Sequence, residues 1–349
     1  MKLLSAVLLT LTAFTSLSAS AWGGRGHNSI CEAAVFLVKN PELKEFLSSR
    51  PHIMGHLCNV PDIYWKSLPM DVRKSGDPGH YLNSEKIGIK FSEIPQDYKK
   101  IVEIYTGKPN AQNASQTLYS VPDELGSLWW RADQFYRSAL DSAKKIKDAQ
   151  TPKDFKEEQD NESAYNKAVY GMLVNMGLLG HFVGDAAQPF HNTSDFDGYA
   201  TNQGGIHAYY EEAVVAALPG DLEAKIIKQA KAWKSQKFTE KPTVFEKMRA
   251  LSEISYVEIK DVLKADRVLK PSLLTVERGM SLKKPAERRP AADNVKNFEK
   301  LAVRQMARAS YLLADIWDQA YINAGKPELK AYKSYLYPFT PEFVKPDYF

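Results

Sequence analysis

Apolar positions in this chain recur mostly at helical spacing, and alternating strand-like runs are scarce. Ile30, Ala33, Ala34 and Leu37 predict a first helix over about 28–39. From 42 to 90 the pattern is broken by Pro51, Pro61, Pro69 and Pro78, which predicts loops with short helices. Residues 123–149 predict a strong helix, acidic at its start (Asp123, Glu124) and basic at its end (Lys144, Lys145, Lys147), in keeping with the helix dipole. Further helices are expected over 162–187, 205–217, 222–234, 243–266 and 291–324. There is no internal repeat and no low-complexity segment. The expectation is an all-α, single-domain multi-helix fold over 22–325. After Lys326 the chain is rich in Tyr, Phe and Pro, and Tyr335, Tyr337, Phe339 and Phe343 are expected to pack the tail, 326–349, across the helices.

The first 21 residues read differently. Lys2 precedes an apolar run from Leu3 to Leu11, and small and polar residues lead to Ala19-Ser20-Ala21. This is the pattern of a secretory signal peptide cut before Trp22. The apolar run is too short to span a bilayer, and no internal run reaches that length. The mature protein is therefore expected to be exported, to a periplasm or beyond the cell, without a transmembrane anchor. Export permits one disulfide between Cys31 and Cys58, although two buried thiols fit the sequence as well. No second pair exists to complete a thiolate zinc site. Hydrophobic residues make up 44% and charged residues 25% of the 349, which is ordinary for a globular protein with a full core. The net charge of +4 is too mild to identify a nucleic-acid binder on that ground.

The candidate chemistry lies in two short stretches, His181-Phe-Val-Gly-Asp185-Ala-Ala-Gln-Pro-Phe-His191 and His207-Ala-Tyr-Tyr-Glu211. His181 with Asp185, and His207 with Glu211, stand four apart, so each pair shares a helix face one turn apart. His191 follows the helix-ending Pro189. Imidazole with carboxylate suits zinc, and clustered divalent cations serve to cleave phosphate esters with an activated water. Cleavage before Trp22 would expose Trp-Gly-Gly-Arg-Gly-His27, in which a free amine and its own carbonyl could chelate a metal beside the imidazole.

Trp-Gly-x-x-Gly-His resembles the mature N-terminus of the single-strand-specific zinc nucleases of the P-one type. His-x-x-Gly-Asp-x-x-Gln-Pro-x-His resembles both those nucleases and the bacterial zinc-dependent phospholipases C, which share an all-helical fold with three zinc ions. The resemblance implies three Zn2+. Trp22, through its amine and carbonyl, and His27 would hold the first, bridged by Asp185 to a second that also takes His181, Asp62 and His80. His191, His207 and Glu211 would hold the third. Asp71 and Asp77 compete with Asp62 for its place. Asp62 is also the candidate to orient the attacking water and accept its proton. Gln188 is a candidate for supporting a ligand or touching substrate, and His52 and His56 read as near-surface loop histidines.

The substrate divides the reading. The short spacing from Trp22 to His27 favours the nucleases, as does a basic break at 268–290 carrying Arg278, Lys283, Lys284, Arg288 and Arg289, either a solvated loop or a lip steering an anionic substrate. Glu211, and the run Gln203 to Glu211, resemble the phospholipase version. The nucleases place an Arg three residues after the metal-binding Asp; here Trp65 stands there, with Lys66 or Arg73 as substitutes lacking a bidentate fork in the case of Lys. Tyr64 and Trp65 could stack on a base, surround a choline headgroup, or belong to the core. The balance falls narrowly to an endonuclease on single-stranded nucleic acid, with phospholipase C as the alternative and a catalytically inactive exported zinc protein as a further one. No obligate protein partner is evident.

Overall fold

A computed structural model describes residues 22–277 and 280–349. The expected signal peptide, 1–21, and Arg278 of the basic break lie outside the described residues. The principal helices are α1 (Gly23–Val35), α2 (Pro51–Ile63), α3 (Leu128–Asp148), α4 (Ala164–Ala187), α5 (Leu222–Lys231), α6 (Val244–Val257) and α7 (Ala291–Asn323). They pack as one mostly helical domain around α4, which is buried nearly all round, as expected of a helix with apolar residues on every face.

The start of α4 is capped by Ser163, whose hydroxyl accepts from the amide of Asn166. Its end is set by Pro189, which pushes Gln188 into an extended backbone (φ −84°, ψ 119°). The long helix α7 lies along α4 and α1: Trp317 Nε1 donates to the carbonyl of Met176 at 3.0 Å, and the Ser310 hydroxyl to the carbonyl of Ile30 at 2.8 Å. Phe135 of α3 stacks on Phe182 of α4, with centroids 5.4 Å apart. A disulfide joins Cys31 of α1 to Cys58 of α2. Among the described residues no helix is long and apolar enough to cross a membrane.

Several expectations need correction. The 42–90 region contains the full helix α2 despite its prolines. Pro51 occupies the first turn, where its missing N–H costs nothing, and only Pro61 interrupts the interior. His52 and His56 are therefore helical, and His56 Nε2 contacts the carbonyl of Phe339 at 2.7 Å. The 123–149 helix is split at Gly126 (φ +84°), where any Cβ would collide with the carbonyl of Tyr81. The basic break forms an antiparallel hairpin, Leu273–Glu277 with Met280–Lys284, and a second small hairpin pairs Pro109–Asn110 with Asn113–Thr117. Arg288 is no steering charge. It is buried against Asp266 at 2.9 Å and donates to the carbonyl of Gly204, bracing the loop before His207.

The tail crosses the helices as an extended strap. Trp65 Nε1 donates to the carbonyl of Pro341, and Ser127 pairs with the hydroxyl of Tyr348. Phe343 meets Trp65, and Phe339 meets His56 and Tyr64.

Candidate metal centre

Three sets of ligand atoms converge at the C-terminal end of α4: His27, His181 and Asp185; Asp62, His80 and His181; His191, His207 and Glu211. All eight side chains are buried. His27 comes from α1, Asp62 from the last turn of α2, His80 from the short helix Asp77–His80, and His181 and Asp185 from the last turns of α4. His191 sits on the turn Pro189–Asn192. His207 and Glu211 lie on a helical run entered through Gly205 (φ +84°), and its π-helical stretch, Tyr209–Val214, was not legible in the sequence. Asp62, and not Asp71 or Asp77, meets the histidines. Asp77 stays half-exposed beside Arg73.

Ligands about 2.0–2.1 Å from a four-coordinate zinc stand about 3.3 Å apart at the corners of a tetrahedron. His181 Nε2 lies 3.3 Å from Asp185 Oδ2, 3.0 Å from His80 Nδ1 and 3.6 Å from Asp62 Oδ1. His80 Nδ1 lies 3.1 Å from Asp185 and 3.5 Å from Asp62. These five separations match the edge length of a tetrahedral ligand set. The other carboxylate oxygen of Asp185 lies 3.4 Å from His27 Nε2, as a bridging carboxylate requires. In the third group His191 Nε2 is 3.1 Å from His207 Nε2 and 3.6 Å from Glu211 Oε2, which is 2.8 Å from His207 Nε2.

The protonation pattern also suits cations. Nδ1 of His181, His191 and His207 each faces a backbone carbonyl, of Cys58, His80 and Phe196 respectively. A carbonyl only accepts, so Nδ1 carries a hydrogen and Nε2 is the nitrogen turned toward the other groups of the cluster. Glu211 Oε1 and Asp185 Oδ1 are buried without a hydrogen bond. Three buried carboxylates converge here, and the nearby lysine is Lys66, 2.5 Å from Asp62. Burial opposes ionisation of Asp62, but Lys66, His181 and His80 outweigh it and hold its carboxyl far below the usual range. Burial likewise opposes charge on Asp185, and His181 and His191 overcome it. Burial and Lys66 push His80 down to about 4, whereas Asp185 and Glu211 lift His191, against burial, to about 9. Such a set fits divalent metal ions.

Trp22 is fully buried, with Nε1 donating to the carbonyl of Gly184 and its own carbonyl accepting from Gly26. With residue 21 attached its nitrogen is an amide, so the chelate expected of a free amine would belong to a processed chain. Arg25 reaches across to the carbonyls of Val215, Ala216, Leu218 and Pro219, tying the N-terminal segment to the helix end beyond Glu211. Gln188 Nε2 donates to Glu211 Oε2.

A cavity of about 390 Å³ opens on His80, His191 and His207. Lys66 lines it; Tyr64 and Trp65 do not. Trp65 is core, packed on Phe135 and Phe343, because the tail carbonyl of Pro341 fixes its indole away from the cavity. Tyr64 joins the His56–Phe339 cluster. The walls are instead made by Phe190, Phe196, Tyr81, Asn83, Lys86 and Asp123, drawn from separate segments whose meeting no local pattern announces. Phe196 is 47% exposed at the rim, with Lys283 of the hairpin 5.9 Å from its ring.

No family model matches the chain. Over 56% of its length the chain is 26% identical to a probable serine protease of Bradyrhizobium tropiciagri. The chain spans about a third of the length of that relative, 31%.

Proposed function

We propose that this chain is an exported, zinc-dependent phosphodiesterase of the trinuclear-zinc superfamily, acting as an endonuclease on single-stranded nucleic acid. The observation that carries the reading is the linkage of adjoining ligand groups through Asp185 and His181, beside a cavity that opens on His80, His191 and His207. Zinc ions held there would supply Lewis acidity and a water ionised near neutral pH.

The chain's own residues would do the rest. Asp62, kept ionised, accepts a hydrogen bond from the attacking water and orients it; a carboxyl held so low orients better than it stores a proton. Lys66, on the cavity wall and paired with Asp62, adds positive charge where a phosphate would bind. The exposed ring of Phe196 offers a stacking face, with Lys283 as a cation for the adjoining phosphate. A paired duplex keeps its bases stacked on one another and could not use that ring, which favours a single strand. A probable serine protease is also a hydrolase, and the likeness supports no more than that.

A second reading, phospholipase C, draws on Glu211 and on the hairpin, where Leu273, Leu274 and Leu282 are exposed beside Lys283 and Lys284, a mixture suited to a lipid surface. One paired assay separates them. Protein processed before Trp22 and loaded with zinc is given single-stranded DNA or RNA in one arm and phosphatidylcholine micelles in the other, with Glu211→Ala and His181→Ala as controls. Nucleic-acid cleavage lost in both variants supports the proposal. Headgroup release without such cleavage moves the chain to the phospholipases. Metal uptake with no turnover in either arm makes it an inactive zinc protein.

A further inference from the structure

The two cysteines lie one helical turn from candidate metal ligands on each of the helices they join. Cys31 follows His27 by one turn on α1, and Cys58 precedes Asp62 by one turn on α2. Residues four apart share a helix face, so on each helix the sulfur and the ligand belong to one stripe. The disulfide, with Cα atoms 6.4 Å apart, sets the separation of α1 and α2 one turn below the ligands. Helix α4 is seated on the same bond. A Cβ at Gly180 would overlap both sulfurs. The next residue is His181, whose Nδ1 donates to the carbonyl of Cys58 itself at 2.8 Å.

We propose that the Cys31–Cys58 disulfide is a positioning device for the two ligand groups built on His27, Asp62 and His181, and that metal affinity there is coupled to thiol redox state. The inference rests on reading these clusters as metal sites, but not on which ester is cut. His27 Nε2 and Asp62 Oδ2 stand 3.9 Å apart on different helices. Their spacing across the centre depends on how far apart α1 and α2 are held. A covalent link one turn away pre-organises that spacing, and outer partners of metal ligands are worth on the order of 10–100-fold in affinity. The group of His191, His207 and Glu211 is carried on Pro189–Asn192 and the 206–214 run, which the disulfide does not join. It therefore serves as an internal control.

Coupling of this kind is reciprocal. If the disulfide strengthens metal binding 10–100-fold, bound metal makes the disulfide harder to reduce by about 30–60 mV. Both sulfurs are fully buried, so a reductant reaches them only in opened molecules, which bound metal suppresses. Reduction by a phosphine breaks the S–S bond and yields two thiols and a phosphine oxide, with water supplying the oxygen and both protons. A phosphine is preferred to a dithiol, whose thiolates would compete for the metals.

The test titrates metal-free protein with Zn2+ against a chelator, and with Co2+ followed by its absorption spectrum. Oxidised chain, phosphine-reduced chain and the Cys31→Ala/Cys58→Ala variant are compared, with Glu211→Ala marking the third group's signal. The expected result is a 10–100-fold loss and altered cobalt spectra at the two linked groups, an unchanged third group, and recovery when the reduced native chain is reoxidised. Unchanged affinity at all three groups overturns the proposal. So does a joint loss at all three with loss of helical circular dichroism, since the bond then serves only folding. If the double variant fails to fold, the reduced and reoxidised native chain decides. Failure of the oxidised protein to take up metal overturns both this inference and the metal reading, whereas redox-blind uptake of metal overturns this inference alone.

Discussion

Nε2 of His191 and Nε2 of His207 face each other at 3.1 Å, while Nδ1 of each is turned to a backbone carbonyl. Two lone pairs at that distance repel unless a proton or a metal sits between them. In the metal-free protein His191 keeps a proton up to about pH 9, because Asp185 and Glu211 outweigh burial. His191 thus adds stability that is full below its unfolded pKa, about 6.5, and is lost as pH rises through about 9. His80, lowered to about 4 by burial and Lys66, works the other way: below about 6.5 the unfolded chain takes up a proton that the folded chain refuses. Melting in chelator from about pH 4 to about 9.5 should therefore show a maximum near neutrality from these two groups. Metal affinity of the third group should instead climb toward about pH 9, with proton release visible in buffers of different ionisation enthalpy. Affinity independent of pH would contradict the arrangement.

Gly184 leaves room for His27. A Cβ there would stand 2.8 Å from His27 Nδ1, and the imidazole, fully buried, has little space to retreat. Gly184→Ala should cost about 1–3 kcal/mol in denaturant melts and weaken metal binding at the His27–Asp185 group. The His191 group should lose less.

Arg25 holds two parts of the centre together through carbonyls at the end of the run that carries Glu211. Arg25→Ala should destabilise by about 1.5–3 kcal/mol, the range for hydrogen bonds to charged groups. Arg25→Lys should recover only a fraction, because an ammonium cannot span the same carbonyls as a planar fork. Equal stability of all three proteins, measured by urea midpoint, would contradict this role of Arg25.

Phe196→Ala tests the stacking face. Stacking is worth about 1–3 kcal/mol per base, so KM for a single-stranded oligonucleotide should rise roughly 5–150-fold. KM for a small chromogenic phosphodiester should hold, and so should metal content.

The clustering of these side chains was legible because helical spacing puts them in register: His181 with Asp185 and His207 with Glu211 announce themselves four apart. Helix α4 was legible for the same reason, its pattern being long and strongly apolar. The cavity wall was not, because Phe190, Phe196, Lys86 and Asp123 meet only after distant segments pack. Of the roles open to Trp65 the structure bears out the core one, which the sequence left undecided because nothing local reveals that the carbonyl of Pro341 will claim its indole. Arg288 read as a surface charge and turned out buried, since its partner Asp266 belongs to a different element. Pro61 suggested a loop, yet α2 continues through it because packing against α4 outweighs one lost backbone bond.

The break of α4 at Gln188 has a consequence for how this chain can change. His181 and Asp185 ride on the last turns of α4 and His191 on the turn just beyond its end, and each residue added to a helix rotates all later positions by about 100°. A single insertion or deletion between 181 and 185 would turn His181 against both Asp185 and His191 and so disturb all three groups at once. Among its described residues the 273–284 hairpin carries no member of the three groups, and it could change length without moving one. Variation in length between descendants of this chain should therefore accumulate in that hairpin, with the 181–191 stretch kept to a fixed count.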